Sequence, residues 1–288
     1  MLDVKHFHVV FTLPAELRPL AAFAKDAVFG ALFHAASATL LEFGERRFRA
    51  TIGATLVLHT WARDLSFHPH VHAIVTGGGL SRNGKRWCSV RRDYLFPVHL
   101  MSRVFRAKMI DALKHAYENG QFARFDDFDD PEGFSRLVNR LWLRRWVVYA
   151  KPTFSKGEYV LKYLGRYTHR VGIANSRLLD VTGEYVHFRT KNGSTETIPP
   201  IEFLRRFVQH VLPDGFHKIR HYGLNASPEK RDLARTILKI PLVAVKPLSW
   251  RERLAKCTGH ESARCPKCSA VLIQVSLTYA RAPPEMAA

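Results

Sequence analysis

The chain has 288 residues, 47% of them hydrophobic, enough for one large domain or two modest ones with a substantial core. Lysine and arginine total 44 against 25 acidic residues, a formal charge of +19, which points to a polyanionic partner, nucleic acid ahead of an anionic membrane surface. Four cysteines are too few for a disulfide framework and fit a reducing cytosolic compartment, and no stretch reads as a signal peptide or a membrane span.

In chain order, residues 7–13 read as a first strand stopped by Pro14. Residues 15–43 follow as one long helical pattern, with Leu17, Leu20, Phe29, Leu32, Phe33 and Leu40 at helical spacings. Residues 51–61 and 68–75 are rich in β-branched and aromatic types and suit a hairpin turning at 62–67. If His59 pairs opposite His70, with Val57 opposite His72, the strand period of two brings His59, His70 and His72 onto one face. Three neutral imidazoles converging there make a seat for one divalent cation. The same spacing also describes the plain polar face of a half-buried hairpin. Gly77-Gly78-Gly79 is expected to end the hairpin as a mobile exit from the sheet, with a turn at Arg82-Asn83-Gly84-Lys85.

Residues 97–119 are expected to be helical. An acidic linker over 122–131 leads to a second helix, where Leu137, Leu141 and Val148 interleave with Arg136, Arg140, Arg144, Arg145, Trp142 and Trp146. That mixture suits base stacking and phosphate contact, with Arg144 and Arg145 as candidate DNA contacts, and equally suits an amphipathic helix with a solvated basic side. A strand over 147–150 is expected to break at Lys151-Pro152. A helix spans 157–170, a hairpin turns at Asn192-Gly193, and a short helix over 201–211 stops at Pro213. Prolines and charges increase from 227, and the tail past 280 reads as disordered.

In the helix over 157–170, Tyr159, Tyr163 and Tyr167 recur every four residues, about 6 Å apart along one face. Val160, Leu161 and Leu164 flank them on one side, and Lys162, Arg166 and Arg170 on the other. A phenol on that seam can attack a phosphodiester while the cations steady the developing charge. Tyrosines also occupy such seams simply because one end is apolar and the other wet. Toward the C-terminus, Cys257, His260, Cys265 and Cys268 supply donors for Zn²⁺, with free thiols as the alternative.

The His-hydrophobic-His strand, followed about ninety residues later by Tyr-x-x-x-Tyr, resembles the HUH endonucleases with two tyrosines. The match is nearest to rolling-circle transposases of the insertion sequence ninety-one family. Phe7-His-Val-Val-Phe-Thr-Leu-Pro14, Leu58-His-Thr-Trp61, His68-Pro-His-Val-His72, Gly77-Gly-Gly-Leu80, Tyr163-Leu-Gly-Arg-Tyr-Thr-His-Arg170 and Ile219-Arg-His-Tyr-Gly223 carry the resemblance.

The resemblance implies an α+β fold: a ferredoxin-like antiparallel sheet with helices on one side, the HUH endonuclease core, plus a small C-terminal extension. The transposase domain would cover 5–225, and 226–288 would be a basic extension with the Cys/His cluster and the tail. Tyr163 and Tyr167 are implied as nucleophiles, with Mg²⁺ or Mn²⁺ polarising the scissile phosphate. One tyrosine would form a 5′-phosphotyrosine and release a 3′-hydroxyl; the other would serve strand transfer. The implied partner is single-stranded DNA at element ends and target, in the bacterial cytoplasm at the nucleoid, with no membrane.

Relaxases resemble this chain in carrying a third histidine upstream of the pair, which favours His59 as third ligand with His68 in reserve. Family members usually begin with a cysteine-rich zinc module, whereas this chain starts almost at the first strand, so a truncated copy or a misplaced start is expected. Tyr159 falls outside the family's pair. Two other readings compete: a catalytically silent nucleic-acid-binding remnant, and a metal phosphodiesterase that uses water.

Overall fold

A computed structural model describes residues 2–90, 94–128, 132–154, 173–190 and 193–241, with isolated positions between 248 and 270. The chain forms two compact units, Met1–Pro241 and Leu242–Ala288. The first is built on strand β1 (His6–Thr12), helices α1 (Arg18–Phe23) and α2 (Lys25–Phe48), strands β2 (Ala50–Trp61), β3 (Phe67–Ser81) and β4 (Trp87–Ser89), helices α3 (Val98–Glu118) and α4 (Gly133–Leu143), and strand β5 (Val147–Phe154). After these come strands β6 (Leu178–Val181), β7 (Val186–Arg189) and β8 (Thr195–Ile198), helix α5 (Pro200–Val208), strand β9 (Ile219–Gly223) and helix α6 (Pro228–Leu238).

The main sheet runs β5-β1-β3-β2-β9, with β4 beside β3, and every pairing is antiparallel. Strands β1, β2, β3 and β5, with helices after β1 and β3, give the βαββαβ order and the 4-1-3-2 arrangement of a ferredoxin-like sheet. The α+β expectation therefore holds, and β9 extends the sheet beyond β2.

Alternation along the strands sorts the two faces. Phe7, Val9 and Phe11 on β1, Leu56 and Leu58 on β2, and Val71, Ala73 and Val75 on β3 are fully buried and join one cluster with α1, α2, α3 and α4. Each such Val, Leu or Phe contributes roughly 1.5–3 kcal/mol by leaving water. Helix α2 is long and apolar enough to cross a membrane by composition. Its buried Val28, Phe29, Leu32, Phe33 and Leu40 instead belong to this core, as in the central helix of a globular domain.

Several local expectations change. The helix expected over 15–43 is a single turn followed by α1 and α2, broken at Ala24, where φ is −109° and ψ 62°. The glycine run is interior strand and not a mobile exit. At Gly78 φ is +152°, and a Cβ there would lie 2.5 Å from the Cys88 carbonyl; at Gly79 it would lie 2.5 Å from the Thr51 carbonyl. These glycines let β3 pass close between β2 and β4. Strand β5 continues through Pro152; it ends the sheet among the described residues, and an edge strand tolerates proline because its outer side needs no ladder donor. Strand β9 and helix α6 were not anticipated as elements. Helix α6 places Ala234 against Leu2, Leu80 and Leu224.

A second, three-stranded sheet, β6-β7-β8, packs with α5 around Val186, Phe188, Ile198 and Phe203. It is tied to the β2–β3 loop by Leu65, which shares its core and has φ +65°. The Arg206 guanidinium donates to Glu196 (2.7 Å), Glu202 (2.8 Å) and the Asp64 carbonyl (3.0 Å). Buried His210 donates from Nε2 to the Leu65 carbonyl (3.0 Å), so its Nδ1 accepts from Thr60 Oγ1 (3.2 Å). This latch holds the tip of the β2–β3 hairpin beside the small sheet.

Candidate metal centre

The hairpin register is the one the sequence predicts: His59 opposite His70, and Val57 opposite His72. All three histidines stand on the sheet face away from α2 and α3. Ring centroids are 4.3 Å apart for His59–His72, 4.9 Å for His70–His72 and 5.4 Å for His59–His70. One ligating nitrogen from each lies within 4.8 Å of the others. Strand geometry alone produces this cluster, because a cross-strand pair and its diagonal neighbour bring three side chains together on one face.

The donor chemistry fits a divalent ion. His70 Nδ1 lies 2.7 Å from the His68 carbonyl, which can only accept, so Nδ1 carries the proton and Nε2 keeps its lone pair. His72 Nδ1 lies 2.7 Å from His8 Nε2, which makes His72 Nε2 its candidate ligand atom. Metal-binding imidazoles are commonly held this way, one nitrogen ligating while the other donates outward. Three imidazoles suit Mn²⁺ and softer ions at least as well as Mg²⁺, which prefers oxygen ligands.

The surroundings fix the rings further. Trp61 lies against His59 with centroids 5.0 Å apart and planes within 10°, and Lys218 Nζ sits 5.0 Å from the Trp61 ring centre. Burial holds the Lys218 ammonium below the ordinary lysine range. Burial, and then Lys151 and His70, push the His8 imidazole down to about 4, so it is neutral near pH 7. His68, the reserve ligand, is turned to another partner: its Nδ1 accepts from Arg18 Nη2 at 2.9 Å. Burial first, then the Arg18 charge, lowers its pKa.

His221, in the Ile219–Gly223 phrase, stands on the same face. It pairs opposite Thr55, whose hydroxyl accepts from Asn225 Nδ2 (3.0 Å) and lies 2.9 Å from His221 Nδ1. The sequence assigns no role to His8, Arg18, Trp61 or His221, although His8, Trp61 and His221 fall within phrases that carry the resemblance. Face parity was an available signal for His8, since a β1 residue paired with β3 must share the histidine face or the core face.

Arg144 and Arg145 are exposed at the junction of α4 and β5, where Arg144 forms an ion pair with Glu16. Of the neighbouring tryptophans one is buried and the other exposed. Trp146 is buried and donates its indole N–H to the Leu141 carbonyl, while the Arg106 guanidinium lies 5.1 Å from the Trp142 ring centre. Tyr163 and Tyr167, with Lys162, Arg166 and Arg170, lie outside the described residues, as do Cys257 and His260. Of the proposed zinc set, Cys265 and Cys268 are described, and the Cys265 N–H donates to the Ala270 carbonyl at 2.8 Å. A separate depression of about 890 Å³ between α2 and α3 contains none of the expected site residues.

Comparison with known proteins points one way. The family model Y2_Tnp, described as "Putative transposase", matches residues 53–232. A "Putative transposase y4qJ" of Sinorhizobium fredii (strain NBRC 101917 / NGR234) is 39% identical over 286 residues, covering 93% of this chain and 72% of the relative. The transposase for insertion sequence element IS801 of Pseudomonas savastanoi pv. phaseolicola is 30% identical over 239 residues, 76% of this chain. This chain spans 54% of that transposase, about half its length. A solved conjugative relaxase, TrwC in complex with mutant OriT DNA, shares 12% identity over 86% of this chain and 69% of its own. Its TM-score of 0.24 is too low to bear on fold or chemistry.

Proposed function

The chain belongs to the Y2_Tnp transposase family, and from that premise we propose that it nicks and rejoins single-stranded DNA through a covalent tyrosine intermediate. The observation that carries this reading is the convergence of His59, His70 and His72 on the open sheet face, with ligand nitrogens within 4.8 Å. Bound by these three, Mg²⁺ or Mn²⁺ supplies Lewis-acid polarisation of the scissile phosphate.

The rest is done by the chain's own groups. The Tyr163 or Tyr167 phenolate attacks phosphorus, the bond to the 3′ oxygen breaks, and that oxygen leaves as a 3′-hydroxyl after taking a proton. The 5′-phosphotyrosine keeps the energy of the phosphodiester, so a later 3′-hydroxyl reverses the attack and rejoins DNA without an external energy source. The second tyrosine serves strand transfer at the target. Lys162, Arg166 and Arg170 lie at helical spacing around the pair and hold the phosphate backbone, with Arg145 a further contact. DNA at the element end and target is the partner, and the bacterial cytoplasm, at the nucleoid, is the place of action.

The test is a denaturing gel of the purified chain with labelled single-stranded element ends and Mg²⁺ or Mn²⁺, alongside Tyr163→Phe, Tyr167→Phe and the double variant. A retarded band that survives denaturation, and is absent from the double variant, is expected. Metal-dependent cleavage without an adduct, indifferent to both tyrosines, would replace this reading with a water-using phosphodiesterase. Binding without cleavage on authentic ends would replace it with a silent remnant.

A further inference from the structure

We propose that His8 is the positioning residue of the metal centre: by accepting the Nδ1 proton of His72, it sets that ligand's tautomer and aims its Nε2 at the ion. The inference rests on the reading of His59, His70 and His72 as a metal seat.

The geometry begins in the register of β1 on β3. Val10 lies opposite His72 and His8 opposite Ile74, so His8 is the diagonal neighbour of His72 on the same face. The two ring planes are parallel within 2°, with centroids 4.9 Å apart and His8 Nε2 at 2.7 Å from His72 Nδ1. A nitrogen contact that short inside that centroid separation leaves room only for the two ring radii. The rings therefore meet edge to edge, with the N–H of one directed along the lone pair of the other.

The proton must be on one side of that contact. A ligating nitrogen needs its lone pair, so His72 Nε2 is bare, and the neutral ring then carries its proton on Nδ1. That N–H points at His8 Nε2, which accepts, and His8 keeps its own proton on Nδ1. The two strand-mates differ in how this is arranged. His70 is held by the carbonyl of His68, two residues away in its own strand, and the backbone sets its tautomer. His72 depends on a side chain 64 residues away, on another strand. His8 is 7% exposed, so water competes little for the contact. Partners of this kind fix ring orientation and raise ligand basicity, and their loss typically weakens metal affinity about 10–100-fold.

The experiment uses the full chain with Mn²⁺ alone as probe. Binding is measured by calorimetry or Mn²⁺ spin resonance for the wild type, His70→Ala, His8→Phe and His8→Gln. Phe keeps a flat ring of similar size but cannot accept a proton; Gln places an amide oxygen near the position of Nε2. His8→Phe is expected to weaken Mn²⁺ binding about 10–100-fold with an unchanged circular dichroism spectrum, and His8→Gln to recover most of it. In the metal-free wild type, side-chain nitrogen-15 spectra should show His72 protonated on Nδ1, shifting to Nε2 in His8→Phe.

Equal affinity in wild type and His8→Phe, equal losses in the Phe and Gln variants, or an Nε2-protonated His72 in the wild type would each overturn the role given to His8. Wild-type affinity no better than that of His70→Ala would instead remove the metal centre, and the His8 proposal with it. The two failures are thus told apart.

Discussion

The two faces of the main sheet are made by the same strands, yet they are held by different physics. Toward α2 and α3, Phe7, Val9, Phe11, Leu58, Val71 and Val75 are at most 1% exposed and fill one apolar core. On the other face His6, His8, Thr55, His59 and Thr76 are also buried but polar, and they alternate with the buried apolar Val57 and Ile74. An apolar face needs volume and tolerates exchange between similar shapes. A buried polar face needs each donor aimed at an acceptor, because an unmade hydrogen bond there costs more than a made one contributes. Alternation writes both into one strand, Phe7-His8-Val9 or Val71-His72-Ala73. A register slip of one residue would exchange the two faces outright. The core face thus confers stability, and the histidine face confers direction.

The comparison breaks first where chemistry is proposed. His72→Ala should cut formation of the covalent DNA adduct by on the order of 10³-fold or more, since Lewis-acid stabilisation supplies several kcal/mol. Its urea midpoint should stay near that of the wild type; an adduct rate within tenfold of wild type would separate the histidine cluster from catalysis. Phe11→Ala on the opposite face should do the reverse. It should cost about 3–5 kcal/mol in urea unfolding, with Mn²⁺ affinity of the folded fraction unchanged.

Acid sharpens the contrast. Burial lowers the His6 imidazole from 6.5 to about 4, so the unfolded chain takes up its proton first as pH falls. The contribution of His6 is complete above 6.5 and is lost as pH falls through that window toward 4, on the order of 3 kcal/mol. Urea unfolding at several pH values from 7.5 to 4.5 measures it, and His6→Phe should flatten the slope by that share. The smallest effect is expected at Trp61, whose ring stacks on His59. Trp61→Leu should weaken Mn²⁺ binding by no more than about tenfold, given roughly 0.5–1.5 kcal/mol for such an aromatic pair.

Legibility followed the range of the interaction. The β2–β3 hairpin could be read because period-two alternation and β-branched composition are local, and one register puts His59, His70 and His72 on a common face. The glycine run could not. Its need for φ +152° and for close passage beneath Cys88 and Thr51 arises from strands that come together only in the fold. Pro152 looked like a strand breaker because its edge position is a property of the whole sheet. Trp146 looked available to bases because nothing in the local pattern announces the Leu141 carbonyl as its partner, whereas Trp142, beside Arg106, stays exposed.

The amino-acid order was sufficient for the basic character, the alternating strands and the common face of His59, His70 and His72, since charge and side-chain parity travel with the chain. It was silent on His8 beside His72, Arg18 on His68, His210 on Leu65 and β9 against β2. Those pairings join residues 64, 50 and 145 positions apart in the first three cases. Periodicity says which way a side chain points, but not which distant side chain it meets; that is settled by strand order and by the packing of α2 and α3 against one face alone.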